Sequence, residues 1–191
     1  SSNLESIRQS EMNKILSKYL YFQIKCRYMV NNSNAAENIK FNVVNIESII
    51  KKFFSTIQNI YNFFSLYANI DNFTFFKKTM NFNLSIDLWI ISKLNRLIKI
   101  SEYYYNNYNI NKVSKLIEDF LLYDFSNWYI RINRKRFWKS NLNKEYIYHI
   151  LYTSLISLIK LSSPISPFYM DMLYMNITRN KKSVHLSKFP I

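Results

Sequence analysis

Glycine is absent from all 191 residues. Average usage is roughly 7%, and without it the Gly-rich loops that cradle phosphates in dinucleotide-binding and P-loop folds cannot be built. Cysteine occurs once, as Cys26. That excludes an intrachain disulfide and a cysteine-based zinc site, and leaves Cys26 as a small buried apolar residue. Acidic residues are few, 12 Asp and Glu against 26 Lys and Arg, giving a net charge of +14 and a pI near 9.7. Such a balance calls for an anionic partner. No uncharged run is long enough to span a bilayer, so nucleic acid is favoured over a membrane. The first residues do not have the pattern of a signal peptide. Alanine is scarce while Asn, Ile, Lys, Tyr and Phe abound. We read this as the drift of an AT-rich genome, so part of the basic charge is compositional.

The length suits one domain with a real core, or a piece of a larger protein. No internal repeat is visible. Residues 1–42 are irregular, with a short helix over Met12 to Lys18 and apolar connectors around Tyr19 and Met29. From there on, helical periodicity dominates. Ile46, Ile49, Ile50, Phe53, Ile57, Ile60, Tyr61 and Phe64 recur at three- and four-residue spacing and predict a helix over 46–68, with Asn45 as N-cap and Glu47 in its first turn. A polar connector covers 72–84. A second helix is expected from Ser85, as N-cap, to about Tyr104, with Ile91, Leu94 and Ile98 inward. A third spans about 112–139, with Val113, Leu116, Ile117, Phe120 and Leu121 inward. A fourth covers about 142–161, with Ile147, Ile150, Leu151, Leu155 and Leu158 apolar, and is ended by Pro164. Ser166-Pro167 opens a fifth, as an N-cap followed by proline at the first helical position, with Met170, Leu173, Tyr174 and Ile177 inward. The fold class expected is all-α: an antiparallel bundle of about five helices over 43–191, after a junction over 1–42.

The chemistry concentrates between Asp124 and Ser140. Five cations, Arg131, Arg134, Lys135, Arg136 and Lys139, fall within nine residues, interleaved with Trp128, Tyr129, Phe137 and Trp138. At α-helical spacing Leu121, Phe125, Trp128 and Ile132 form one apolar stripe, which keeps Phe125 and Trp128 in the core. Asn127, Arg131, Arg134 and Trp138 fall together on another face. Arginines neutralise phosphates and release counterions, and flat rings stack on loop bases that a duplex would hide. Spacing alone does not separate this from a solvated basic helix end. Glu118, Asp119 and Asp124 have no His, Lys or metal-ligand company suited to catalysis, and read as solvated charges or partners for the arginines. His149 reads as a boundary-layer side chain, and His185 lacks companion metal ligands.

The same stretch, Asn-Trp-Tyr-Ile-Arg followed by Asn-Arg-Lys-Arg-Phe-Trp, resembles the anticodon-binding helical domain of isoleucyl-tRNA synthetases, which are class I enzymes. Other strings agree in order. Tyr67-Ala68-Asn69-Ile70-Asp71 is similar to that family. The Asp87-x-Trp-Ile-x-Ser-x-Leu-Asn string is shared with valyl and leucyl enzymes. Ser163-Pro164-Ile165-Ser166-Pro167-Phe168 resembles the family's proline turn, and Ser183-Val184-His185-Leu186 with Pro190 resembles its closing motif. The resemblance covers about Cys26 to Pro190. The tryptophan the family usually carries before Tyr28 is missing.

The resemblance implies a tRNA-binding part of an isoleucine–tRNA ligase. Such an enzyme is cytoplasmic and uses ATP and Mg2+, though no cofactor is implied for this stretch. The expected partners are the anticodon stem-loop of isoleucine tRNA and a catalytic domain, on the same enzyme or on a separate chain. The residues expected to meet RNA are Asn127, Arg131, Arg134, Lys135, Arg136, Trp138 and Lys139. The family's Lys-Met-Ser-Lys-Ser loop should fall within the first six residues, where Ser2-Asn3-Leu4-Glu5-Ser6 retains only a final serine. Without those lysines the segment cannot stabilise the charge that develops in adenylation, so this stretch is expected to be catalytically inactive alone. A generic basic RNA-binding bundle, a structural bundle whose charge is drift, and the tRNA-binding subunit of a split enzyme are the alternatives.

Overall fold

A computed structural model describes residues 50–75, 84–138, 144–179 and 182–190. The expected junction over 1–42, with Cys26, lies outside these residues, as do Asn45, Ile46, Glu47 and Lys139. Among the described residues every regular element is helical. A π-helical turn, Ile50–Phe54, leads into α1, Ser55–Ile70. Helix α2 is Ser85–Asn106. Helix α3, Ile110–Asp119, continues through a π-helical stretch, Phe120–Ile130, into α4, Arg131–Trp138, so 110–138 form one unbroken rod. Helix α5 is Lys144–Ser162, α6 is Pro167–Thr178, and a 3-10 turn covers Val184–Leu186.

Cross-chain bonds fix the directions. At one pole the end of α1 meets the end of α4, through Trp138 Nε1 donating to Tyr67 Oη at 2.8 Å. At the same pole Asp71, just past α1, meets Lys144 at the start of α5. At the other pole Tyr105, near the end of α2, donates its hydroxyl to the Leu161 carbonyl near the end of α5. There Phe54, just before α1, packs edge-on against Tyr169 near the start of α6. Helices α1, α4 and α6 therefore run toward the first pole and α2 and α5 away from it, as the antiparallel expectation required.

The cores of the expected stripes are observed. Phe53, Ile57, Ile60 and Phe64 of the first stripe are buried, as are Leu94, Ile98, Val113, Ile117, Phe120, Leu121, Met170 and Leu173. Helix α5 is buried nearly all round, from Ile147 through Leu161, and is the central helix of the bundle. A helix that is apolar on all sides must sit inside. His149 lies deeper than the boundary position expected, only 4% exposed, with its ring against those of Phe73 and Phe75.

Two local expectations are corrected. Ser85 is the first residue of α2 and not its cap. Leu84 occupies the cap in extended conformation, without a side-chain bond. The stripe through the rod does not follow α spacing. Ile117, Leu121, Phe125, Tyr129, Asn133 and Phe137 are all buried, at a strict interval of four. In the π-helical stretch each turn holds more residues than in an α-helix, and the inward face drifts accordingly. Trp128 and Ile132, placed inward by α spacing, are 54% and 50% exposed.

With no glycine available, three of the described residues adopt left-handed backbone: Asn72 (φ 50°), Tyr108 (φ 55°) and Arg179 (φ 52°). Each follows a helix end. After α1, Phe73 N–H bonds the Ala68 carbonyl and Asn72 N–H that of Asn69. After α2, Asn109 N–H bonds Tyr104 and Tyr108 N–H bonds Tyr105. Both are Schellman closures, in which glycine is the usual occupant.

Candidate nucleic-acid interface

Helix α4 displays two kinds of cation. Arg131, Arg134 and Lys135 are exposed and form no ion pair with any described carboxylate. Asn127, one turn earlier, is also exposed, and Trp138 is 64% exposed. These five follow one another along the outward side of the rod. Arg136 differs from its expected place on that face. It turns inward, where Nη1 and Nη2 donate to the two Asp87 oxygens at 2.7 and 2.9 Å. Burial alone would depress its pKa, but the bonds and charge of Asp87 outweigh it and hold the guanidinium above its ordinary value.

Asp87 is the centre of a buried polar node. It is 1% exposed, and besides Arg136 it accepts from Tyr129 Oη at 2.8 Å. Asn133 completes the node, accepting from Arg136 Nη1 at 3.0 Å and donating to the Tyr129 carbonyl at 2.8 Å. Burial first, and then the Asp87 charge, push the Tyr129 phenol far above its usual range. A buried carboxylate satisfied by three donors costs little only while every donor stays. The node thus locks the first turn of α2 to α4 and fixes which side of α4 faces out. In the sequence Asp87 stands near the start of a helix and opens the string shared with related synthetases, and neither feature marks it as the centre of a buried node. Its signal is the strict four-residue interval of Phe125, Tyr129, Asn133 and Phe137, which places an amide and a phenol on a buried stripe that needs a polar partner.

The Tyr67–Asp71 segment is the second organiser. Tyr67 accepts from Trp138, Asn69 Oδ1 accepts from Arg179 at 2.9 Å, and Asp71 accepts from Lys144 at 3.0 Å and from Tyr148. Alternate residues of one short string hold the end of α4, the residue after α6 and the start of α5. The Tyr148 bond first, and the Lys144 bond and charge as well, lower the Asp71 pKa against the opposing effect of burial. Around Tyr67 the rings of Phe63 and Phe137 lie 4.9 and 5.6 Å away, so the hydroxyl that receives Trp138 is rigidly held.

Other candidates are placed simply. Asp124 pairs with Lys93 at 3.4 Å rather than with an arginine. His185 is exposed in the 3-10 turn, which Asp171 anchors to α6 by accepting from Ser183 Oγ and Val184 N–H, both at 2.7 Å. Among the described residues no group of three or more His, Cys, Asp or Glu side chains could hold a metal ion, and no helix is long and apolar enough to cross a membrane.

An antiparallel bundle with a cationic, aromatic-tipped helix on its surface is a class of helical module suited to RNA. The family described as the anticodon-binding domain of tRNA ligase matches residues 87–191, and the chain belongs to that family. It is similar to the isoleucine–tRNA ligases of Cytophaga hutchinsonii (44% identical over 172 residues), Bacteroides fragilis (45% over 172) and Porphyromonas gingivalis (42% over 167). Each match covers 85% of this chain. The chain spans only 15–16% of the length of those curated relatives.

Proposed function

We propose that this chain is the anticodon-binding part of an isoleucine–tRNA ligase, working in the cytoplasm. It docks the anticodon stem-loop of isoleucine tRNA and so positions the acceptor end for a catalytic domain, carried by the same enzyme or by a separate chain. The observation that carries the reading is the division of labour on α4. Arg136 is consumed by the Asp87 node, while Arg131, Arg134 and Lys135 stay exposed and unneutralised beside Asn127 and Trp138. Exposed arginines serve phosphates, the amide a base edge or sugar, and the indole an unstacked base. ATP and Mg2+ belong to the adenylation chemistry of the whole enzyme.

The test is binding to isoleucine tRNA and to an anticodon-swapped tRNA across a salt series. Tighter binding of the native anticodon at every salt concentration is expected. Equal binding of both, collapsing with salt, would reduce the surface to phosphate attraction and sink the anticodon reading.

A further inference from the structure

Away from α4, the ends of α1 and α6 and the residues that follow them enclose a cleft of about 410 Å³. That is within the range of small-ligand sites, roughly 300–1,000 Å³. Its walls combine three chemistries. Phe75 and Tyr152 line the cleft as a stacked pair with ring centroids 4.1 Å apart. Asn69 and Asn176 supply amides, and Arg179 a guanidinium. Arg179 is the left-handed residue that ends α6, and its Nη2 bonds the Asn69 amide oxygen on the cleft wall.

The cleft also has a place in the bundle. Asn69 is two residues from Tyr67, which holds Trp138. Two residues along a helix point to nearly opposite sides, so the cleft and the Trp138 indole flank the end of α1 about one helix diameter apart, ~10 Å. A splayed RNA loop can reach both.

We propose that this cleft receives one unstacked nucleobase, with the adjoining phosphate at Arg179. The base ring extends the Phe75–Tyr152 stack, and the amides of Asn69 and Asn176 read its edge. This rests on the anticodon-docking reading and extends it to a second binding point on a different helix pair.

The experiment titrates the full chain into isoleucine-tRNA anticodon stem-loops carrying 2-aminopurine at one loop position at a time. One position is expected to change its emission on stacking in the cleft. Arg179→Gly, which suits the left-handed backbone, is expected to keep the melting temperature, abolish that change, weaken binding about tenfold and lower the salt slope by about 0.7, one single-strand phosphate. Should Arg179→Gly fail to fold, Asn176→Ala, an exposed side chain, is expected to show the same loss of emission change. If the folded variant binds with wild-type affinity, emission and slope while Arg134→Ala still weakens binding, the cleft is not a site but the docking reading stands. If neither variant alters binding, the docking reading fails and the cleft with it.

Discussion

Asp87 and Arg136, 49 residues apart in sequence, meet as a two-pronged ion pair at 2.7 and 2.9 Å. The carboxylate is nearly sealed from solvent, with a side-chain exposure of 2%, and the guanidinium is 19% exposed. Removing one partner of such a pair leaves an uncompensated buried charge, at a cost of about 3–5 kcal/mol. Asp87→Ala should lose that much in urea unfolding. Arg136→Lys should also lose, because an ammonium cannot reproduce the fork. The pair exchanged together for Leu and Met, with Tyr129→Phe to remove the hydroxyl that Asp87 accepts from, should cost far less than Asp87→Ala alone. A loss below about 1 kcal/mol for Asp87→Ala would show that the node is not what locks α2 to α4.

That pair also shows where the sequence was legible and where it was not. Five helical rods, their inward stripes and the antiparallel course follow from apolar spacing, and the family from ordered strings such as the one around Tyr67. α periodicity places Trp128 and Ile132 inward, but the stretch leading to them is π-helical and both are exposed. Nothing local marks Phe120–Ile130 as π. Only the full series Ile117, Leu121, Phe125, Tyr129, Asn133 and Phe137 has an interval of four. Nearest neighbours in a cation run look alike, so the sequence puts Arg136 beside Arg134 on the RNA face. A buried acid on a different helix separates them, and that is tertiary information.

The absence of glycine makes a prediction at Tyr108. Its side chain is 92% exposed and has little packing to lose. Its φ of 55° closes α2, with Asn109 N–H on the Tyr104 carbonyl at 2.9 Å. Left-handed conformation costs a residue with a Cβ roughly 1–2 kcal/mol, partly offset in a glycine variant by its freer unfolded chain. Tyr108→Gly should therefore stabilise by about 0.5–1 kcal/mol, read as a rise of a few degrees in melting temperature. Asn72→Gly should gain less, because asparagine tolerates this conformation. A Tyr108→Gly protein less stable than wild type would refute the strain account.

Asp71 sets an acid limit. Its carboxyl pKa is held below the ordinary 3.8 by the Tyr148 and Lys144 bonds. A depressed folded pKa means that the unfolded chain takes up the proton more readily. The stabilisation is therefore complete above the unfolded value and is lost as pH falls through the lower folded one. Stability should decline as pH drops from about 5 toward 2, and Asp71→Asn should flatten the part of that decline that belongs to this site. A pH profile identical in Asp71→Asn would leave the bond between α1 and α5 without energetic consequence.

Trp138 and Tyr67 give the sharpest test of the surface. The indole N–H is occupied by the Tyr67 oxygen at 2.8 Å, while the ring stays 64% exposed. A partner is thus offered the face of the ring and not its donor, and the ring is oriented before the partner arrives. Stacking on such a platform contributes about 1–3 kcal/mol per base, and orienting it in advance reduces the ordering cost of binding. Trp138→Ala should weaken binding of the anticodon stem-loop by about tenfold or more with an unchanged salt slope, since no phosphate contact is removed. Tyr67→Phe deletes one hydroxyl inside an intact aromatic cluster and should weaken binding by a smaller factor. Added to Trp138→Ala, Tyr67→Phe should have no further effect, because its only route to the RNA is through the indole. Additive losses in the double variant would mean that Tyr67 acts on the RNA directly or through the fold, and that the indole is not held for stacking.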